Sequence, residues 1–102
     1  MLIILSKSPF ISDYESLVKL VSKAVEKGES VAVLHIQDAC VAVTSDRCLK
    51  KLVSSGVEVY ALKEDCEARG LLRKIKNKVR TVDYKGWVNL VMNKHGKIVS
   101  WT

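Results

Sequence analysis

Residues 57–87, VEVYALKEDCEARGLLRKIKNKVRTVDYKGW, decide how the chain is read. Val57, Val59 and Ala61 alternate with Glu58 and Tyr60, the period of a strand with one apolar face. Lys63, Glu64 and Asp65 make a polar break, after which Arg69 and Gly70 close a short helical turn. The pattern restarts at Val79, Thr81 and Val82, stops at Asp83, and passes into Tyr84, Trp87, Val88 and Val91 at helical spacing. Two strand-to-helix units therefore follow one another, with acids, a thiol and bases gathered at their turns.

Toward the N-terminus the same unit recurs. Met1–Leu5 is an all-apolar run suited to a strand buried on both faces, and Ser6–Ile11 is its exit loop. Ser12 and Glu15 form an S-x-x-E capping box for a helix whose apolar face is Tyr14, Leu17, Val18, Val21 and Val25. Gly28 suits the left-handed stop of that helix, and Val31–Ile36 is a second buried strand. Asp46 is placed to cap a helix carrying Leu49, Leu52 and Val53, with Gly56 as its stop. Beyond the quoted stretch, Gly96 ends the last helix and Lys97–Trp101 alternates as a fifth, edge strand.

The order βαβαβαβαβ calls for parallel pairing with right-handed crossovers and helices on both faces of one sheet. The expected fold is a three-layer α/β/α sandwich with a five-stranded, mainly parallel sheet, built from residues 1–102 as a single domain. All strand C-termini then open on one edge, where open α/β sheets bind ligands. That edge should present Ser6, Lys7, Gln37, Asp38, Cys40, Glu64, Asp65, Cys66, Asp83 and Tyr84.

Composition narrows the function. Seventeen Lys and Arg against eleven Asp and Glu give a net charge of +6, with 48% hydrophobic residues, which suits a packed globule rather than a disordered basic tail. The charge is concentrated: Arg69, Arg73, Lys74, Lys76, Lys78 and Arg80 follow one another with no acid between Arg69 and Arg80. Such a run is commonly a solvated face, and the alternative is contact with RNA phosphates or an acidic partner. It contains no aromatic residue, which disfavours single-strand base stacking. Five apolar residues at the start are too few for a signal peptide, and no run approaches membrane-spanning length, so a cytoplasmic protein with no membrane contact is expected. Three cysteines, odd in number and far apart, suit free thiols in a reducing compartment.

The chemistry-bearing residues thin out on inspection. Neither type of glycine-rich phosphate loop is present, so no nucleotide cofactor is expected. Asp38 as a phosphoryl acceptor lacks the paired acids that would hold magnesium after the first strand. His35 and His95 lack partners at ligand spacing, so no metal is expected. Cys66, near the start of a helix and flanked by Lys63 and Arg69, is the foremost candidate for sulfur or redox chemistry, followed by Cys40 and then Cys48. Glu64, Asp65 and Glu67 should hold the Cys66 thiol up.

Read together, Ser8-Pro9-Phe10 after the first strand, Gln37-Asp38 after the second, Tyr60-Ala61-Leu62 with Glu64-Asp65 and Ala68-Arg69-Gly70-Leu71, Val82-Asp83-Tyr84, and Val99–Trp101 carry a likeness. In this order and spacing the chain resembles the TusB/DsrH family of sulfur-relay subunits, within the DsrE/DsrF/DsrH-like superfamily. The resemblance implies assembly with DsrE-like (TusD-like) and DsrF-like (TusC-like) sisters, which pass persulfide sulfur toward 2-thiolation of the tRNA wobble uridine or serve dissimilatory sulfur oxidation. It implies that the sulfur-carrying cysteine belongs to the DsrE-like sister, at the strand position that is Leu62 here. Some DsrH-type members carry a further cysteine around the position of Leu17. This chain has neither, which favours a scaffold or docking role over a persulfide carrier on Cys66 or Cys40, or a direct tRNA-binding module on the basic run. Arg69 should then pair through its fork with Asp65 or Asp38, Gly70 should serve the turn, and Tyr84, Trp87 and Trp101 should anchor an interface with the sisters or with a second copy.

Overall fold

Five parallel strands form one sheet in the order β4-β3-β2-β1-β5: β1 Leu2–Leu5, β2 Ala32–His35, β3 Glu58–Leu62, β4 Arg80–Val82 and β5 Ile98–Trp101. The structure, a computed structural model, describes residues 1–8, 14–94 and 96–101. Register runs straight across the sheet, with Leu2 opposite both Ala32 and Ile98, and Val33 opposite Val59. Helices α1 (Tyr14–Glu26), α2 (Asp46–Ser54) and α3 (Lys63–Ala68) follow the first three strands, and α4 (Tyr84–Asn89) follows β4. The proposed capping box involves Ser12, which lies outside the described residues, as do Pro9, Phe10 and His95.

The sheet separates two apolar clusters. Ile3, Leu5, Val33, Val59 and Ala61 face Leu17, Val21, Leu49 and Leu52 of α1 and α2, with Ala39, Cys40, Val43 and Cys66 in the same cluster. Leu2, Ala32, Leu34, Tyr60 and Leu62 point to the other side, where Leu90 and the half-buried Trp87 cover them. The fold is therefore the expected three-layer α/β/α sandwich, but an asymmetric one: α1, α2 and α3 line one face, while α4 and its continuation cover the other.

Four local features differ from the sequence expectation. Tyr60 is not the solvent-facing partner of Val59; it is buried against the second cluster, and its hydroxyl donates to Glu58 Oε2 at 2.9 Å. A tyrosine can do this because its ring is apolar and only its tip needs a partner. Lys63, Glu64 and Asp65 are not a loop but the first turn of α3, which starts directly after β3 and places its acids at the favourable end of the helix dipole. Asp46 does not cap α2; Ser45 does, accepting from the Cys48 N–H at 3.4 Å, and Asp46 is the first helical residue. The last helix is regular only to Asn89 and continues as a π turn over Leu90–Lys94. Gly86 sits inside α4 where a Cβ would lie 2.9 Å from Val82 Cβ, so the helix approaches β4 as closely as it does because position 86 has no side chain.

Among the described residues His35 is the buried polar side chain of the core, with no exposed surface. Its Nδ1–H donates to the Tyr60 carbonyl at 3.0 Å, so its Nε2 accepts from the Tyr14 hydroxyl at 3.2 Å, tying β2 to β3 and α1. Burial lowers the imidazole from 6.5 to about 4, against a smaller opposing effect of the Tyr60 bond, and burial raises the Tyr14 phenol. The unfolded chain takes up a proton near pH 6.5 while the folded chain resists until about 4. Stability contributed by neutral His35 is thus full above pH 6.5 and lost as pH falls toward 4. Between pH 7 and pH 5 the loss should be about 2 kcal/mol. Urea titrations at the two pH values should show this loss in the natural chain and not in His35→Gln; parallel slopes would dissociate it from His35.

Candidate functional site

The C-terminal edge of the sheet is held by a clip between the β2 exit and α3. Gln37 leaves β2 with φ +50, the left-handed region that a side chain resists. Its N–H donates to Asp65 Oδ2 at 2.7 Å. Next to it, Asp38 Oδ1 accepts from Arg69 Nε at 3.4 Å and Nη2 at 3.3 Å, while Arg69 Nη1 donates to the Asp65 carbonyl at 3.4 Å. Arg69 therefore does pair with Asp38, but both contacts converge on one oxygen instead of forming a two-oxygen fork, and Asp65 offers it the main-chain carbonyl while its carboxylate is engaged with Gln37. The pair is exposed enough to contribute well under about 1 kcal/mol; its effect is to aim side chains. Gly70 follows at φ +67, which lets the chain turn out of α3 while the Leu71 N–H returns to the Cys66 carbonyl at 2.9 Å. Glu64 Oε1 is shielded from solvent, and no donor reaches it among the described residues.

Beneath the clip lie two thiols. Cys40, in the 3-10 turn Gln37–Thr44, and Cys66, in α3, are fully buried in the same cluster, close enough for each to affect the other's ionisation. The Cys40 S–H also reaches the His35 carbonyl at 3.7 Å. A hydrogen bond from Cys40 pulls the Cys66 thiol below its ordinary value, outweighing burial and Asp65, while pairing with Cys66 and burial push Cys40 up. The carboxylates therefore do not hold Cys66 up as expected, because an S–H donor found only in the folded chain overrides them. Cys66 is the member that ionises first, but neither sulfur opens to solvent. Cys48 is half-buried on α2.

Other singled-out residues are dispersed. Asp83 caps α4, accepting from the Gly86 N–H at 2.7 Å, and Tyr84 stands exposed beside Trp87 with ring centroids 6.4 Å apart. Ser6 joins the β2 exit through its carbonyl, which accepts from the Ala39 N–H at 3.2 Å. Ser8 is half-buried. Arg73 and Lys74 sit in a 3-10 turn, Leu72–Lys74; Lys76 pairs with Asp46 at 3.4 Å, Lys78 is exposed, and Arg80 opens β4. These cations do not join the Asp38–Arg69 clip. Among the described residues no group of three or more His, Cys, Asp or Glu is arranged to hold a metal ion, and no helix is long and apolar enough to cross a membrane. The sequence reasoning missed Gln37's strain and the meeting of Cys40 with Cys66; Ser45 was legible as a hydroxyl three residues before Cys48.

Residues 7–97 match the family model described as DsrH like protein. The chain belongs to the DsrH-like family. It is 38% identical over 102 residues to Protein TusB of Photorhabdus laumondii and 36% identical to Protein TusB of Escherichia coli O81, covering 99% of this chain and 100% of each relative. In three dimensions this DsrH-like chain is similar to the ychN protein of E. coli, with a TM-score of 0.79 at 15% identity over 98% of this chain and 97% of that one. A conserved Bacteroides thetaiotaomicron protein, BT1422, gives 0.77 at 18% identity over 97% and 92%. At such identities these two structures speak for the shared fold alone.

Two substitutions test the clip of this DsrH-like chain. Gln37→Gly relieves a left-handed residue and should raise stability by roughly 0.5–1 kcal/mol. Asp65→Ala leaves the Gln37 N–H without its carboxylate and should lower stability by about 1 kcal/mol. Denaturant midpoints of the two single variants should move in opposite directions.

Proposed function

We propose that residues 1–102 form a single-domain, non-catalytic subunit of a cytoplasmic sulfur-relay complex. It would stand beside DsrE-like (TusD-like) and DsrF-like (TusC-like) subunits and support persulfide transfer toward 2-thiolation of the tRNA wobble uridine. The observation that carries this reading is the closure of the strand-end thiols: Leu62 ends β3 buried in the second cluster, and Cys66 one turn later has no exposed surface. A sulfur carrier must present its thiolate to a donor and then to an acceptor, and a thiol sealed in the core does neither. Membership of the DsrH-like family over most of the chain supplies the context.

A second feature supports the subunit role. Tyr84, Val88 and Met92 recur every fourth residue along α4 and its π turn, and are 54%, 58% and 74% exposed. Large apolar side chains repeated along one helical face serve as interface anchors. Of the three aromatics expected at an interface, Tyr84 is exposed on this face, Trp87 turns inward against the second cluster, and Trp101 is half-buried on β5.

The rival reading has Cys66 carrying persulfide, and its lowered thiol favours it over Cys40. Mass spectrometry after incubation with a persulfide donor separates the two: no adduct is expected on the folded chain, and a one-sulfur adduct lost in Cys66→Ser would overturn the non-catalytic reading. For assembly, sedimentation of the chain co-expressed with its DsrE-like and DsrF-like sisters should give a species several times the 11.4 kDa of one chain. Val88→Glu with Met92→Glu should release the chain as a monomer. Only monomer in the unsubstituted mixture would defeat the subunit reading.

A further inference from the structure

The basic segment after α3 is pinned to the body at every fourth residue. Leu71 and Ile75 pack against the first cluster, Val79 is buried within it, and the Lys76 N–H donates to the Val43 carbonyl at 3.1 Å. The residues between these anchors are consequently held outward. Facing them across a groove is α2, and the groove between, about 570 Å³, is lined by Asp46, Leu49, Lys50, Val53, Lys76 and Lys78 among others. A second hollow of about 500 Å³, lined by Thr44, Arg73, Lys74, Ile75, Lys76 and Asn77, shares Lys76 and Asn77 with the first as a common wall. Five cations, Lys50, Arg73, Lys74, Lys76 and Lys78, thus border two adjoining hollows whose single lining carboxylate, Asp46, is already opposite Lys76 at 3.4 Å.

We propose that this groove between α2 and residues 73–78 binds the phosphate backbone of a nucleic-acid duplex. The cations flank two successive hollows, an arrangement that matches a ligand whose negative charges repeat along its length. No aromatic residue lines either hollow, so bases have nothing to stack on, and the ligand that fits has its bases turned inward and its phosphates outward. The inference is independent of the subunit reading, since an isolated chain can bind a duplex whether or not it joins sister subunits. Lys50 was not part of the basic run seen in the sequence; the fold alone brings it to the groove.

The test uses the full chain and fluorescently labelled RNA and DNA duplexes of about 16 bp, whose relative affinities tell which duplex is held, with anisotropy read between about 50 and about 200 mM salt. Binding should weaken steeply across that range. Lys50→Gln with Lys74→Gln and Lys78→Gln should weaken it at least about tenfold and make the salt dependence shallower by about two to three in log–log slope. Lys19→Gln with Lys23→Gln and Lys27→Gln, which removes equal charge from exposed positions on and just after α1, should cost less than about threefold. The six positions are exposed, and an unchanged thermal midpoint in each variant verifies the fold. Equal losses in the two variants would reduce the effect to net charge and overturn the groove. Binding of poly-glutamate in preference to the duplex would reassign it to an acidic protein, and no duplex binding at the lowest salt would end the proposal.

Discussion

The constraint on which this molecule depends is that β1, β2 and β3 are buried from both sides. Parallel strands direct alternate residues to opposite faces, and in LIIL, AVLH and the last four residues of EVYAL nearly every side chain is apolar or internally satisfied. Such strands are stable only between two layers of helix. The chain meets this demand unequally, with α1, α2 and α3 on one side and one short helix on the other. Because α4 must approach closely to cover so much surface, it needs Gly86 against Val82, and its outer face keeps Tyr84, Val88 and Met92 in solvent. The exposed stripe is therefore a by-product of covering a wide apolar sheet with few residues.

At the strand ends, polar groups do architectural work. Asp65 and Arg69 reach from α3 to the Gln37-Asp38 turn and hold the 3-10 segment over Cys40 and Cys66. A sulfur pair that would be chemically useful if open is instead closed under a lid of its own backbone. The edge thus carries two thiols that the fold keeps out of contact with solvent.

Most of the architecture was legible because the decisive signals are local. Apolar runs at Met1–Leu5 and Val31–Ile36 mark inner strands, and Gly28 and Gly56 do adopt the positive φ that a helix stop uses. Tyr60 misled because alternation counts it as polar, whereas its ring is buried and only its hydroxyl seeks a partner. Lys63–Asp65 misled because acids that favour a helix start look the same as a polar loop. In the site, the contact of Arg69 with Asp38 followed from charge, but its one-oxygen geometry did not, since it is set by the tertiary placement of the Gln37-Asp38 turn beside the end of α3. The meeting of Cys40 with Cys66, and of Lys50 with Lys76, arises from tertiary packing between segments that share no periodic signal.

The strand order carries a consequence for how the molecule is made. β1 lies between β2 and β5, and its register with β5 joins Leu2 to Ile98 and Leu5 to Trp101, the longest connection in the sheet. Contacts so distant in sequence are closed late, because the loop entropy is lost before any pairing energy returns. Until then, one side of β1 is an unpaired edge flanked by Leu2 and Ile4, with the groups that recruit foreign strands. The interval in which the first strand waits for the last is thus the one in which a central strand of the finished sheet is still open to a foreign partner.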